Sequence, residues 1–333
     1  MRDFTAKHVA VLPPSGIRKF FDIVATMDNV ISLGVGEPDF KTPERVRKAA
    51  MDSLAEGKTR YSSNWGMPKL REEIAHYLKR RFDLDYDTDQ ILCTIGAEAI
   101  DVTLRTILEP GDEVLLVEPS YVAYKPAIQL QHGVPVVVTT KAENDFKLMP
   151  EELEAAITPK TKAIIINSPN NPTGVIYDAG TVEKIAAVLR QKSAEYGTDI
   201  YIIADEPYRE LAYDGVEVPY IPNFYENTIV AYSFSKSLSL PGDRIGYLVI
   251  PSTVADFAEV SMGAAIANRV LGFVNAPALQ QMVVAKCCEE TTDVAFYNAN
   301  RELLYNALQE YGYSCAKPQG AFYLFVKALE DDD

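Results

Sequence analysis

The chain has 333 residues, and its 32 lysine and arginine residues against 47 aspartate and glutamate residues give a formal net charge of −15 at pH 7. This excess of acid disfavours nucleic acid and anionic membranes as partners. The four cysteines have no metal or redox spacing, and no apolar run has the length of a signal peptide core or a membrane span. We therefore expect a cytoplasmic protein that binds neither nucleic acid nor membrane.

Beyond an N-terminal stretch with a short helical pattern around residues 17–25, predicted strands alternate with predicted helices. The strands are expected at 90–95, 113–117, 134–140, 162–167, 200–204, 228–233 and 245–250. They are continuous apolar runs, which is typical of parallel strands that helices cover on both faces. The predicted fold class is therefore α/β, with a mostly parallel seven-stranded sheet sandwiched by helices.

Two domains are expected from this pattern. The large domain should comprise residues 43–275, and a smaller α/β domain should comprise 1–42 and 276–333. After Pro251 the pattern is mainly helical, and one further strand is predicted at 321–326. Because such a strand needs neighbours for pairing, we expect the small domain to be incomplete at its C-terminus and the sequence to be part of a longer chain.

Polar residues follow the ends of several predicted strands, where ligands bind in open α/β sheets. Lys236 is embedded among Phe234, Leu238 and Leu240, and removal from water lowers the pKa of a lysine and favours the neutral amine that attacks carbonyls. The backbone amides at the start of the helix predicted from Gly96 could bind a phosphate. Taken singly, each residue also has a structural explanation, such as a surface lysine, a helix cap or a turn. The candidates are Gly96, Ala97, Glu98, Tyr121, Asn171, Asp205, Tyr208, Ser233, Lys236 and Arg244.

A lysine that forms an imine, a carboxylate, an aromatic ring, a phenol and a phosphate cup together suit pyridoxal 5'-phosphate, which needs a carboxylate to keep its ring nitrogen protonated. The sequence resembles a class I aminotransferase of the fold type I pyridoxal-phosphate family, in the aspartate and aromatic aminotransferase branch. The matching motifs are Gly36-Glu-Pro-Asp-Phe40, Tyr61, Gly96-Ala97-Glu98, Asn171-Pro-Thr-Gly174, Asp205-Glu-Pro-Tyr208, Ser233-Phe-Ser-Lys236 with Arg244, and Gly320-Ala-Phe-Tyr323.

The resemblance implies a role for each matching residue. Lys236 would carry the internal aldimine and shuttle a proton, Asp205 would pair with the pyridine nitrogen, and Tyr121 would stack on the ring. Asn171 and Tyr208 would bind the ring oxygen. The phosphate would be held by the Gly96 turn with the amides of Ala97 and Glu98, by Ser233 and Arg244, and by Tyr61 of the neighbouring subunit in a homodimer. Gly36 would offer its amide to the substrate carboxylate.

The resemblance also implies the reaction, in which an amino group moves from an L-amino acid to a 2-oxo acid. A carbon–sulfur β-lyase on the same fold is the alternative, and a non-catalytic pyridoxal-phosphate sensor is a third class of protein. The family's arginine for the substrate carboxylate should lie beyond residue 333, although Arg269 and Arg301 are available. Tyr121, Tyr124 and Trp65 are expected to line an opening that accepts aromatic or aliphatic groups.

Overall fold

The structure is a computed structural model that describes residues 4–13, 23–24, 26–31, 33–34 and 36–330. Of the helix predicted around 17–25, only residues 23 and 24 are therefore described. A seven-stranded sheet forms its centre, with the spatial order β1-β7-β6-β5-β4-β2-β3. The strands are β1 (Ile91–Thr94), β2 (Glu113–Glu118), β3 (Val134–Thr139), β4 (Thr161–Asn167), β5 (Tyr201–Asp205), β6 (Thr228–Ser233) and β7 (Gly246–Val249).

Strand direction confirms the predicted mostly parallel sheet. Strands β2 to β6 pair in parallel, and β7 alone runs against both of its neighbours, β6 and β1. Since β1 and β6 are both antiparallel to β7, they point the same way. The carboxyl ends of six strands therefore lie along one edge of the sheet.

Helices precede, separate and follow the strands. They are α1 (Lys7–Ala10), α2 (Glu44–Ala55), α3 (Pro68–Phe82), α4 (Gly96–Ile107), α5 (Tyr124–Leu130), α6 (Pro150–Ala156), α7 (Ala179–Tyr196), α8 (Phe234–Ser237), α9 (Phe257–Val270), α10 (Ala278–Cys287) and α11 (Val294–Glu310). Local sequence defines both ends of helix α7: the Asp178 side chain caps its first turn, and Gly197, directly after its last residue, adopts a left-handed conformation with φ +66°. None of the described helices combines the length and the apolar content that crossing a bilayer requires.

Two apolar layers cover the two faces of the sheet. Alternate residues of β4 show the division, because Ile164 and Ile166 belong to one buried cluster, whereas Ala163 and Ile165 belong to the other. Helices α3, α7 and α10 contribute to the first cluster, and α4, α5 and α9 contribute to the second. The sheet is thus buried on both faces, which explains why its strands are continuous apolar runs in the sequence.

The strand predicted at 321–326 is wrong. Strands β8 (Ser314–Cys315) and β9 (Val326–Lys327) form a short antiparallel pair, and residues 321–322 form a turn. Ala321 adopts a left-handed backbone with φ +56°, donates its N–H to the Leu211 carbonyl at 2.8 Å, and accepts a hydrogen bond from the Tyr213 hydroxyl. Because both of its backbone polar groups are bonded to the 211–213 loop, this residue cannot pair with a strand neighbour.

Candidate active site

The predicted site residues come from neighbouring strand ends. Asp205 ends β5 and Ser233 ends β6, and these two strands pair directly. Thr94 at the end of β1 and Ser233 both lie opposite Gly246 of β7, so the helix that follows β1 begins beside the end of β6. This edge brings together three segments that are far apart in sequence.

Lys236 lies in the single helical turn of α8, directly after β6. Its Nζ donates a hydrogen bond to the Gly36 carbonyl at 2.6 Å and lies 5.3 Å from the ring centre of Phe322 and 5.8 Å from that of Tyr208. The pKa of Lys236 is lowered to about 8, chiefly by burial; the charge of Glu37 opposes the shift, and the charge of Arg244 contributes to it. An amine with this pKa is partly unprotonated near neutral pH, as a nucleophile or proton acceptor must be.

Asp205 presents a carboxylate that is largely withdrawn from water. The pKa of Asp205 is raised to about 7, chiefly by burial; a hydrogen bond from Tyr124 opposes the rise, and the charge of Glu206 contributes to it. The Tyr124 hydroxyl donates to Oδ2, and Asn167 Nδ2 donates to the Asp205 carbonyl at 2.8 Å. In the described part of the chain, no lysine or arginine forms an ion pair with Asp205. The carboxylate of Asp205 is therefore available to pair with a cationic group of a ligand.

The prediction missed Tyr124 as a partner of Asp205. Tyr124 and Trp65 are expected from the sequence to line an opening. In the structure Tyr124 is buried, and Trp65 packs against the core cluster of α4 and α9. Only Tyr121 of these three is well exposed, at 38%, and its ring meets that of Tyr124 edge to face with centres 5.5 Å apart. The apolar pattern predicts a helix over 121–131, whereas α5 begins only at Tyr124, so this pattern does not reveal the contact.

Tyr208 and Asn171 complete the polar side of this edge. Tyr208 is buried, and its hydroxyl oxygen lies 2.6 Å from that of Tyr323. The backbone N–H of Asn171 donates to Asn167 Oδ1 at 2.7 Å, and this same Asn167 holds the Asp205 carbonyl. Asn167 thus connects the loop after β4 to the end of β5.

A second group of donors surrounds the first turn of α4. Helical geometry leaves the N–H groups of Ala97 and Glu98 without intrahelical acceptors, and the helix dipole favours an anion there. A Cβ added at Gly96 would lie 2.4 Å from the Ser233 Cβ, so only glycine lets the two segments approach so closely. The Ser233 hydroxyl lies 2.9 Å from that of Ser235, a possible further donor that the sequence argument did not single out.

Arg244 is exposed beside this anion site. Its Nη1 donates to the Pro241 carbonyl at 2.7 Å. Burial raises the pKa of Glu98, and Arg244 is close enough for its charge to oppose that rise, as it also acts on Lys236. The charge of one arginine therefore acts both at the start of α4 and at the lysine.

These residues fit pyridoxal 5'-phosphate on chemical grounds. A partly neutral lysine suits its aldehyde, an unpaired buried carboxylate suits its protonated ring nitrogen, and a phenol suits its ring oxygen. The free amides of α4, with Ser233 and Arg244, suit its phosphate. The segment at Gly36 approaches the lysine closely, because its carbonyl is the acceptor for Nζ.

Three predicted or available residues lie elsewhere. Tyr61 is 98% exposed and borders an open cavity of about 660 Å³ together with Arg60 and Phe273. Arg301 is buried and bonds the Pro318 carbonyl, Asp214 and Glu302, so its guanidinium is not available to a substrate. Arg269 is exposed on α9.

Comparisons with known proteins agree with the site chemistry. The family model "Aminotransferase class I and II" matches residues 28–331. The chain is 39% identical to an aspartate aminotransferase of Pyrococcus abyssi and 38% identical to aromatic-amino-acid aminotransferase 2 of Thermococcus litoralis, in each case over 94% of this chain and 80% of the relative. A crystal structure of an aminotransferase from Eubacterium rectale superimposes with a TM-score of 0.91 at 38% identity, covering 98% of this chain and 84% of that one.

These relatives support the aminotransferase prediction and give no support to the β-lyase alternative. The enzyme class, the cofactor and the fold expected from the sequence are confirmed. The chain therefore belongs to the class I and II aminotransferases, and it is a pyridoxal-phosphate-dependent enzyme that transfers amino groups.

Proposed function

We propose that Lys236, Asp205 and Tyr208 are the catalytic residues of this aminotransferase. The observation that carries the proposal is the Lys236 amine, which lies at the carboxyl edge of the sheet with a pKa lowered to about 8. Asp205 ends the neighbouring strand, and the ring of Tyr208 lies 5.8 Å from the amine. Three groups with complementary acid and base properties thus share one edge.

Lys236 both anchors the cofactor and moves a proton in this proposal. With a pKa of about 8, roughly a tenth of the amine is unprotonated at pH 7, against less than about a thousandth for an ordinary lysine. The neutral Nζ can therefore accept the proton of the substrate's Cα and return it later. Its hydrogen bond to the Gly36 carbonyl holds the amine on the substrate side of the edge.

The cofactor's own contribution is to accept the electron pair left at Cα when that proton departs. Asp205 would bind its ring nitrogen, and Tyr208 and Asn171 would donate hydrogen bonds to its ring oxygen. Tyr121 would stack on one face of the ring. The phosphate would be bound by Gly96, Ala97, Glu98, Ser233 and Arg244, and by Tyr61 of a second subunit.

An L-amino acid and a 2-oxo acid are the expected substrates, and we infer that the Gly36 amide binds the substrate carboxylate. Two relatives are named for aspartate and for aromatic amino acids. The described walls near Lys236 are aromatic, since Phe322 and Tyr208 flank the amine. This lining favours an aromatic side chain over the charged side chain of aspartate.

We further infer a homodimer. The exposed face of α9 has Met262, Ile266 and Val270 at intervals of four residues, which forms an apolar stripe along one side of the helix. The chain then continues to Phe273, which borders the same open cavity as Tyr61. A second copy covering this stripe would bury it and would bring Tyr61 to another site.

The expected division into residues 43–275 against 1–42 and 276–333 remains a prediction, as does the cytoplasmic location. In support of the division, all seven strands of the large sheet fall within 43–275, and the β8–β9 pair lies outside it. Helix α10 packs on α2 and α3 and so connects the two parts.

A substrate panel tests this function. The purified enzyme with added pyridoxal phosphate is assayed with tyrosine, phenylalanine and aspartate as amino donors and 2-oxoglutarate as acceptor, and glutamate formation is measured. We expect higher kcat/KM for the aromatic donors than for aspartate. Higher kcat/KM for aspartate would overturn the inferred preference, and the absence of glutamate with every donor would overturn the proposed roles of the site residues.

A further inference from the structure

Tyr323 contacts two parts of the proposed site at once. Its hydroxyl oxygen lies 2.6 Å from that of Tyr208, and the two rings meet edge to face with centres 5.6 Å apart. On its other side, a Cβ added at Gly36 would lie 2.0 Å from the same hydroxyl oxygen. The Tyr323 hydroxyl is therefore placed between the Tyr208 phenol and the backbone segment that accepts the hydrogen bond from Lys236.

The backbone near Tyr323 is fixed to the loop that carries Tyr208. The N–H of Ala321 donates to the Leu211 carbonyl at 2.8 Å, and the N–H of Leu211 donates to the Tyr208 carbonyl at 2.8 Å. Gly320 also forms a β-bridge with Ala212, and a Cβ there would lie 2.7 Å from the Leu211 carbonyl oxygen. These bonds set the distance between the two tyrosines independently of their hydroxyl contact.

The two hydroxyl groups share two hydrogen atoms, and either oxygen can be the donor. When Tyr323 donates, the Tyr208 oxygen is already an acceptor and its own hydrogen is free to point at a ligand. Polarisation through such a pair also makes the outer hydroxyl a stronger donor. The pair is partly shielded from water, because Tyr208 is buried and burial raises the pKa of both phenols, so both remain protonated at neutral pH.

We propose that Tyr323 is a positioning residue that holds the Tyr208 hydroxyl as the donor to the cofactor's ring oxygen. This inference rests on the proposed function of Tyr208. It assigns the Gly320-Ala-Phe-Tyr323 segment a part in setting the proton affinity of the lysine-bound cofactor. A purely structural Tyr323, packed with Phe40, Tyr297 and Phe322, would leave that proton affinity unchanged.

The test is a pH titration of the visible absorbance of the holoenzyme, which reports protonation of the lysine-bound cofactor. A hydrogen bond to the ring oxygen stabilises the unprotonated form, so losing that bond raises the apparent pKa. We expect Tyr208→Phe to raise the apparent pKa by about 1–2 units, as for a hydrogen bond to a charged group. Tyr323→Phe should raise the apparent pKa by about 0.4–1 unit, as for a neutral hydrogen bond.

The double variant distinguishes positioning from an independent effect. If Tyr323 acts through Tyr208, Tyr208→Phe with Tyr323→Phe should have the same apparent pKa as Tyr208→Phe alone. The control is Tyr225→Phe, which removes another buried hydroxyl, the donor to the Ile200 carbonyl at 2.7 Å, just before β5 begins and so at the opposite end of that strand from Asp205. It should lower stability and leave the titration unchanged.

The possible failures can be told apart. A normal titration in Tyr323→Phe, alongside a raised apparent pKa in Tyr208→Phe, would overturn the inference about Tyr323 alone. Additive shifts in the double variant would also overturn it. A normal titration in Tyr208→Phe would overturn the proposed function of Tyr208 and, with it, the positioning role.

Discussion

The Tyr124 hydroxyl donates a hydrogen bond to Oδ2 of Asp205, where β5 ends. Tyr124 belongs to the second apolar layer of the sheet. The neighbouring residue Glu206 points to the opposite side of the sheet, where it forms a buried ion pair with Arg209. The hydrogen bond from Tyr124 stabilises the ionised carboxylate against burial, which raises the pKa of Asp205 to about 7. Tyr124 thus helps to keep negative the group that is proposed to hold a protonated ring nitrogen.

Replacing Tyr124 by phenylalanine should weaken catalysis. The pKa of Asp205 would rise above about 7, and the carboxylate would bind the ring nitrogen less well. Because a hydrogen bond to a charged group contributes about 1.5–3 kcal/mol, kcat/KM should fall about ten- to a hundredfold. The acidic limb of the pH profile should move to higher pH. Tyr201→Phe, which removes a hydroxyl bonded to the Ala255 carbonyl, is the control; equal profiles for Tyr124→Phe and Tyr201→Phe would contradict this role.

Asp205→Asn should stabilise the cofactor-free protein at pH 8 while it removes most activity. The folded-state pKa of Asp205 is raised from 3.8 to about 7, so the folded protein binds the proton more tightly than the unfolded chain does. The contribution of this carboxyl to stability is therefore present below pH 4 and is lost as the pH rises to about 7. Urea unfolding should show a larger stability gain for Asp205→Asn at pH 8 than at pH 5. The exposed Asp87→Asn is the control, and an equal gain for Asp205→Asn at both pH values would refute the shift.

Arg301→Met should destabilise the protein without altering substrate binding. Arg301 is buried and bonds the Pro318 carbonyl and the exposed Asp214, each at 2.7 Å, so the substitution leaves the buried Pro318 carbonyl without this donor. We expect a loss of about 1–3 kcal/mol in the free energy of unfolding, measured with urea, and an unchanged KM. Arg105→Met is the matched control, because this exposed arginine of α4 pairs with Asp101 one turn away, and it should change neither quantity. A KM for the amino acid that rises at least tenfold in Arg301→Met would show that this arginine binds substrate after all.

Mixing two impaired variants, Tyr61→Phe and Lys236→Ala, tests the proposed shared site. Tyr61 is 98% exposed, so a role at the phosphate requires a second subunit. Tyr61→Phe should reduce cofactor affinity about tenfold to a hundredfold, because it removes a hydrogen bond to a charged phosphate. After exchange with Lys236→Ala subunits, a mixed dimer has one site with both defects and one with neither. Activity of the mixture, measured at limiting cofactor concentration, should therefore partly return. If it does not return after subunit exchange has been verified, Tyr61 acts within its own subunit or has no role at the phosphate.

Sequence reasoning predicted the sheet well because its strands are buried on both faces. A strand such as β4 has to be apolar at successive positions, and that requirement is visible without any structure. The same reasoning failed at 321–326, where the run Ala321 to Val326 has the composition of a strand. There, bonds to Leu211 and Tyr213 fix a turn, and these partners are distant in the sequence.

The candidate site was predictable to the extent that its residues follow strand ends in recognisable motifs. Lys236 and Asp205 could be named because each comes directly after an apolar run. The sequence predicts Tyr124 only as part of an opening and Tyr323 only as part of a motif, because their roles depend on which hydroxyl reaches which partner across the fold. The burial of Arg301 likewise could not be predicted from the sequence, since its partner Asp214 lies 87 positions earlier in the chain.

The most direct test of the account is to find which lysine binds the cofactor. The holoenzyme is reduced with borohydride, digested, and mapped by mass spectrometry for a peptide that carries the reduced pyridoxyl group. We predict a single modified residue, Lys236, and no peptide that carries the reduced pyridoxyl group from Lys236→Ala. Stoichiometric labelling at any other lysine, or a Lys236→Ala protein that retains the covalent link, would contradict it.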